Sequence, residues 1–308
     1  MNRREFLAKS AAVATAASLP IAACAQETMH TRLIPGTDEA LPVIGFGQPE
    51  VFKKLGPEGK ELPKALIQTM VDMGGRVMDT PAHFRPDPPV LGPLLTEMGL
   101  QDELFLTSKI TVEGKEEGIA HLERAVANMN KDPIDCLMIH NTYTLKQMHN
   151  HWPTLKDWKE TGRTRYIGVS MTRNEDYAEL EKFMKDERPD FILTGYSVNN
   201  PMAEESCLPL AADLGIAVII AEAFKAIEDG GIFAQVANTE FPEWAAEFDA
   251  ESWAQFALKY IVANPAVTCV VTETAKVNHV KDNMAGGYGR LPDASHLKRM
   301  RELIVSLQ

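Results

Sequence analysis

The chain has 308 residues, 45% hydrophobic, 24% charged and 7% aromatic, which is the composition of a folded globular protein and not of a disordered or collagen-like one. Its 43 Asp and Glu outnumber 31 Lys and Arg, and the formal charge of −12 excludes a bulk affinity for nucleic acid or anionic lipid, both of which need a positive surface. Beyond residue 25 no stretch is apolar enough to span a bilayer.

Residues 1–25 differ from the rest. Met1-Asn2-Arg3-Arg4-Glu5-Phe6-Leu7-Ala8-Lys9 precedes an Ala-rich apolar run from Ser10 to Ala25. A paired Arg ahead of Phe-Leu and a modest hydrophobic core resembles a twin-arginine signal peptide. The competing reading, a basic amphipathic helix, lacks helical periodicity and the Leu or Ile that a packing face needs. Ala23-Cys24-Ala25 offers small residues for cleavage before Gln26, while Ile21-Ala22-Ala23-Cys24 resembles a weak lipobox that would lipidate Cys24. The expected product is a periplasmic domain over 26–308, delivered by the twin-arginine export machinery and without an integral membrane segment. Its three remaining cysteines, Cys136, Cys207 and Cys269, are an odd, widely spaced set and form no disulfide framework.

From Val43 onward, short apolar runs alternate with helical patterns. The runs are Val43–Phe46, Arg76–Asp79, Leu104–Ser108, Asp135–His140, Arg165–Ser170, Phe191–Thr194, Ala217–Ala221 and Thr268–Val271. Each is apolar on consecutive positions, as strands buried on both faces of a parallel sheet require. Between them, Lys64–Met73, Ile119–Met129 and Trp253–Val262 carry apolar residues at helical spacing. Eight such strands over roughly 250 residues predict a (β/α)8 TIM barrel. A doubly wound sheet would need a Gly-rich phosphate turn after an early strand, and Gly45-Phe46-Gly47 leads into no helix start. Thr31–Ile34 and Leu41–Val43, joined around Pro35-Gly36, predict an N-terminal β-hairpin plug.

Chemistry in such barrels sits where strands end. The second strand ends in Asp79, the third in Lys109, the fourth in His140 and the fifth in Ser170. An Asp, a Lys and a His on adjacent strand ends face one cleft, and a buried Lys and Asp there must pair.

Here the sequence resembles the aldo/keto reductase family, from about Leu41 to Leu291. The matching stretches are Leu41-Pro42-Val43-Ile44-Gly45-Phe46-Gly47, Arg76-Val77-Met78-Asp79-Thr80, Leu106-Thr107-Ser108-Lys109, Asp135-Cys136-Leu137-Met138-Ile139-His140, and Gly162 through Ser170. The resemblance implies NADP(H)-dependent reduction of carbonyls or oxidation of alcohols on a small-molecule substrate. Asp, Lys and His are expected to assist a Tyr five positions after the Asp, and a neighbouring ammonium would lower that phenol's pKa. In this chain the position holds Phe84, which has no proton to give.

The coenzyme positions divide in the same way. Ser170 matches the residue that binds the nicotinamide carboxamide, and Thr274 and Asn283 keep the family pattern. Met171, Leu193 and Ala221 replace the usual Asn, Gln and stacking aromatic. Glu222 and Glu273 fall where phosphates are expected, and His279 replaces an Arg, so these positions oppose tight NADP(H) binding.

Plainer readings stand beside these. Asp79–Lys109 is equally read as a structural ion pair, and His140 as a core histidine. His83, next to Phe84, is a second candidate acid, with an unperturbed pKa of about 6.5. A metal site from Asp79, His83 and His140 is opposed by Lys109, and no metal is expected. His149 and His151 do not share a helix face and are expected in solvent. The alternatives to a reductase are a periplasmic binding or accessory protein, and a non-redox acid/base enzyme, on the same scaffold.

Overall fold

The computed structural model describes residues 28–47, 59–80, 91–140, 146–172, 177–224 and 231–307. The signal segment, Cys24, His83 and Phe84 lie outside the described residues. Two short strands come first, β1 (Thr31–Leu33) and β2 (Ala40–Pro42), paired antiparallel. Then strands and helices alternate: β3 (Ile44–Gly47), α1 (Glu61–Asp72), β4 (Val77–Asp79), α2 (Leu91–Met98), β5 (Phe105–Ile110), α3 (Lys115–Met129), β6 (Ile134–His140) and α4 (Lys146–Glu160). The second half continues with β7 (Thr164–Met171), α5 (Tyr177–Glu187), β8 (Phe191–Gly195), α6 (Cys207–Leu214), β9 (Ala217–Ala221), α7 (Gly231–Gln235), α8 (Trp253–Val262), β10 (Cys269–Thr272), α9 (Val277–Ala285) and α10 (Ala294–Ser306).

Strands β3 to β10 pair in parallel and in sequence order, and β10 returns to β3 through Val270 opposite Ile44, so the sheet is a closed eight-stranded barrel. All eight predicted strands are present, with ends shifted by at most two residues. Each strand is buried on both faces because two cores use its alternate residues. One set, including Phe46, Met78, Leu106, Leu137, Val169 and Ile192, packs outward against the helices. The other, including Val77, Phe105, Met138, Leu193, Ile219 and Val271, fills the barrel. Gly168 sits in the inward column of β7, where a Cβ would lie 2.5 Å from the Phe191 carbonyl oxygen, and only glycine lets β8 approach there.

Ile34 and Leu41 of the hairpin join the inner core beside Val77 and Phe105, so the hairpin closes the end at which the strands begin. Ions hold it there. Asp135, 2% exposed, accepts from the Leu106 amide at 2.7 Å, Lys131 Nζ at 2.6 Å and Arg165 Nη1 at 2.7 Å. Arg165 in turn pairs with Glu39 of the hairpin turn, which also accepts from the Tyr166 hydroxyl at 2.8 Å.

One expectation is corrected. His151 is buried at 1% exposed, its Nε2 hydrogen-bonded to the Val112 carbonyl at 2.6 Å. Its ring fills the space opposite Gly118, where a Cβ would lie 2.3 Å from Cε1. His151, Leu155 and Trp158 share the buried stripe of α4, a spacing that outweighs the separation from His149. Cys136, Cys207 and Cys269 are buried free thiols, and burial pushes the Cys207 pKa up to about 12. Among the described residues no helix is long and apolar enough to cross a membrane.

Candidate active site

The inward columns decide which side chains meet. Alternation from the inner core places Asp79 above Val77, Lys109 above Phe105 and Thr107, His140 above Met138, and Ser170 above Gly168. All four therefore point into the barrel at the C-terminal ends of β4, β5, β6 and β7, the end opposite the hairpin. Register brings neighbours level, with Asp79 opposite Thr107, Lys109 opposite Met138 and His140 opposite Ser170.

Lys109 is 4% exposed, and its ammonium lies 2.5 Å from Asp79 Oδ1. A buried ammonium needs that partner and further acceptors. The Thr80 carbonyl supplies another at 2.9 Å. Thr107, which the sequence reading passed over, donates its hydroxyl to the same Asp79 oxygen at 2.5 Å. Its signal was the strand period, since Thr107 lies two residues from Lys109 and on the same face. Thr80 anchors this arrangement from β4, donating its hydroxyl to the Thr107 carbonyl at 2.6 Å. His140 Nδ1 lies 3.0 Å from Ser170 Oγ, and Ser170 is wholly buried. The arrangement is a held ammonium and an imidazole on inward columns at one end of the barrel, groups that suit polarising an oxygen and exchanging a proton with it.

The other half of the mouth is built differently. The inward positions that end β3, β8 and β9 are Gly47, Gly195 and Ala221, which carry no side chain larger than a methyl. Two carboxylates lie near these positions. Glu222 follows β9 with a positive φ of 57°, and its Oε2 is 3.8 Å from where a Gly195 Cβ would be. Glu273 follows β10, its Cβ 3.7 Å from the corresponding Gly47 position. Thr274 is half-buried, with its hydroxyl 3.4 Å from His279 Nδ1 and accepting from the Lys276 amide at 3.2 Å ahead of α9. Asn283 lies on α9 and is 4% exposed. Ser170 thus contacts His140, whereas Thr274 and Asn283 stand apart on the α9 side. Behind this half, Tyr177 donates to the Gly195 carbonyl at 3.0 Å, and burial raises its pKa to about 12.

A family model, that of the aldo/keto reductases, matches residues 43–304, which takes in every barrel strand together with Asp79, Lys109, His140 and Ser170. The chain belongs to the aldo/keto reductase family. Among curated relatives, aldo-keto reductase YhdN of Bacillus subtilis is 24% identical over 166 residues, covering 50% of this chain and 49% of that protein. Methylglyoxal reductase DkgB of Salmonella typhi is 28% identical over 111 residues, covering 34% and 41%. The chain thus spans about half the length, or less, of these curated relatives. A Klebsiella pneumoniae aldo/keto reductase solved with NADP and acetate superposes with a TM-score of 0.70 at 19% identity, covering 88% of this chain and 94% of that one. At that identity the likeness supports the fold, and the family's barrel is the barrel described above.

Proposed function

We propose that this aldo/keto reductase is an exported oxidoreductase that interconverts a small carbonyl compound and its alcohol at the C-terminal mouth of the barrel. The observation that carries this reading is the Asp79–Lys109 ion pair on inward columns of the barrel, with His140 and its partner Ser170 on the inward columns of the next two strands at the same end. In it the substrate oxygen lies toward Lys109 and His140. Asp79 keeps the ammonium oriented, and Lys109 stabilises the negative charge that grows on the oxygen. With Phe84 at the family's tyrosine position, the proton comes from His140 in its imidazolium form, which returns to the neutral ring, with His83 the second candidate.

A nicotinamide coenzyme, when bound, supplies or accepts the hydride. The small floor of Gly47, Gly195 and Ala221 beside Ser170 fits the nicotinamide end of such a coenzyme. Ser170 would hold the carboxamide, and Thr274 and Asn283 the remainder. The family resemblance and the Klebsiella pneumoniae structure with NADP favour NADP(H). Residues 1–25 make the compartment the periplasm, reached by the twin-arginine route. A second reading, a binding protein or a non-redox acid/base enzyme, is favoured by one feature, the placement of Glu222 and Glu273 on the coenzyme side.

The test is turnover of a panel of small aldehydes with NADPH or NADH by the folded chain lacking residues 1–25. Coenzyme oxidation that depends on aldehyde and disappears in Lys109→Met supports the oxidoreductase. An inert protein that still binds an aldehyde or alcohol with Lys109 in place supports the second reading.

A further inference from the structure

We infer that Ser170 is a positioning residue for His140, fixing the imidazole as the tautomer with its hydrogen on Nε2. The inference rests on the oxidoreductase reading only for its consequence in turnover. Its basis is hydrogen-bond accounting at a buried pair. Ser170 is wholly buried, so its hydroxyl hydrogen must be given to an acceptor or leave a costly orphan. Among the described residues, the partner of Ser170 Oγ is His140 Nδ1, at 3.0 Å. A hydroxyl that donates to Nδ1 requires that nitrogen to be the acceptor, and a neutral imidazole then carries its hydrogen on Nε2.

The backbone makes the pair rigid. His140 and Ser170 face each other in register between β6 and β7, and both side chains belong to the inward columns of their strands. Val169 and Ile139, which alternate with them, are fully buried on the outer face, so neither strand can rotate its pair out of place. Ser170 keeps its oxygen lone pairs while its hydrogen is committed to His140. The same hydroxyl can therefore accept from a carboxamide NH2 without releasing the histidine. The consequence is that neutral His140 meets a substrate oxygen as a hydrogen-bond donor through Nε2. Without Ser170, the ring can carry its hydrogen on Nδ1 instead and would present an acceptor where a donor is needed.

The experiment is nitrogen NMR of the histidine rings in the full folded chain, with the His140 signals assigned from a His140→Asn variant. It is recorded above the range where imidazole is protonated, without substrate or coenzyme. The expected result is the Nε2–H tautomer in the unaltered protein, a mixture or the Nδ1–H form in Ser170→Ala, and the Nε2–H form restored in Ser170→Thr. In turnover, Ser170→Ala is expected to lower kcat at least tenfold with KM changed less than threefold, and Ser170→Thr to recover most of it. An Nδ1–H resonance for His140 in the unaltered protein overturns the inference and leaves the oxidoreductase reading standing. The Nε2–H tautomer in a protein that turns over no carbonyl overturns that reading and leaves the positioning role intact. If Ser170→Ala fails to fold, the tautomer of the unaltered protein still decides.

Discussion

The barrel carries a carboxylate paired with a cation at each end, and the two are organised in opposite ways. At the end closed by the hairpin, both oxygens of Asp135 are used, by the Leu106 amide and Lys131 on one and by Arg165 on the other. Arg165 passes the link on to Glu39 in the hairpin turn. That network ties the hairpin to β5, β6 and β7 through the chain's own groups. At the other end, Lys109 and Thr107 both bind Asp79 Oδ1, and on the next two strands His140 pairs with Ser170. The same residue types thus tie down a plug at one end and hold a charge toward a space at the other. In barrels of this kind the ends of the strands, not their beginnings, carry the chemistry.

The largest effect should come from the mouth. Lys109→Met is expected to cut turnover by at least ~100-fold, the scale at which a positioned polarising or proton-exchanging group acts. Pairing it with Asp79→Leu removes the stranded carboxylate, so thermal stability should recover while turnover does not. If the double variant regains turnover, the Asp79–Lys109 pair is structural, like its counterpart at the closed end. Asp135→Asn is expected to do the reverse. Losing one member of a buried ion pair costs about 3 kcal/mol, read as a lowered urea midpoint with KM and kcat unchanged at 25 °C. A loss of substrate affinity in Asp135→Asn would show that the two ends are not independent.

Smaller effects probe the acidic rim. Glu273→Lys exchanges a carboxylate for an ammonium on the coenzyme side and should tighten NADPH by roughly tenfold while changing NADH much less, with the gain shrinking at high salt. Equal tightening of both coenzymes would place the 2′-phosphate away from Glu273. The smallest effect lies far from either end. Arg290 beside Asp249 holds that carboxyl down at about 2, below its ordinary 3.8. A depressed carboxyl gives stability that is complete above 3.8 and disappears as pH falls toward 2. Asp249→Asn should therefore melt below the unaltered protein at pH 6, and the gap should close on acidification through that window.

Much of this was legible in the sequence because the barrel repeats one pattern. Runs such as Asp135–His140 are apolar on consecutive positions, and their last polar residues mark the functional end directly. The inward side of each strand follows from period two, which also accounts for Thr107 once Lys109 is placed. The hydrogen bond between His140 and Ser170 was not legible, since it depends on the register of β6 against β7 and no local pattern encodes that. His151 was misread for a related reason. Its burial depends on Gly118 of a different helix, so neither segment reveals the contact alone. His83 and Phe84 fall outside the described residues, and the proton route through His140 rests on the sequence at that point.

If the barrel end between Lys109 and Glu273 is a working oxidoreductase site, it binds a nicotinamide coenzyme. Titrating the folded chain lacking residues 1–25 with NADH and NADPH, and following nucleotide fluorescence, should give a saturable change at micromolar concentrations for at least one of them. That change should be perturbed by a small aldehyde or alcohol and reduced by Ser170→Ala. No saturable change for either nucleotide up to millimolar concentration would contradict the claim and leave the barrel as a binding or non-redox scaffold.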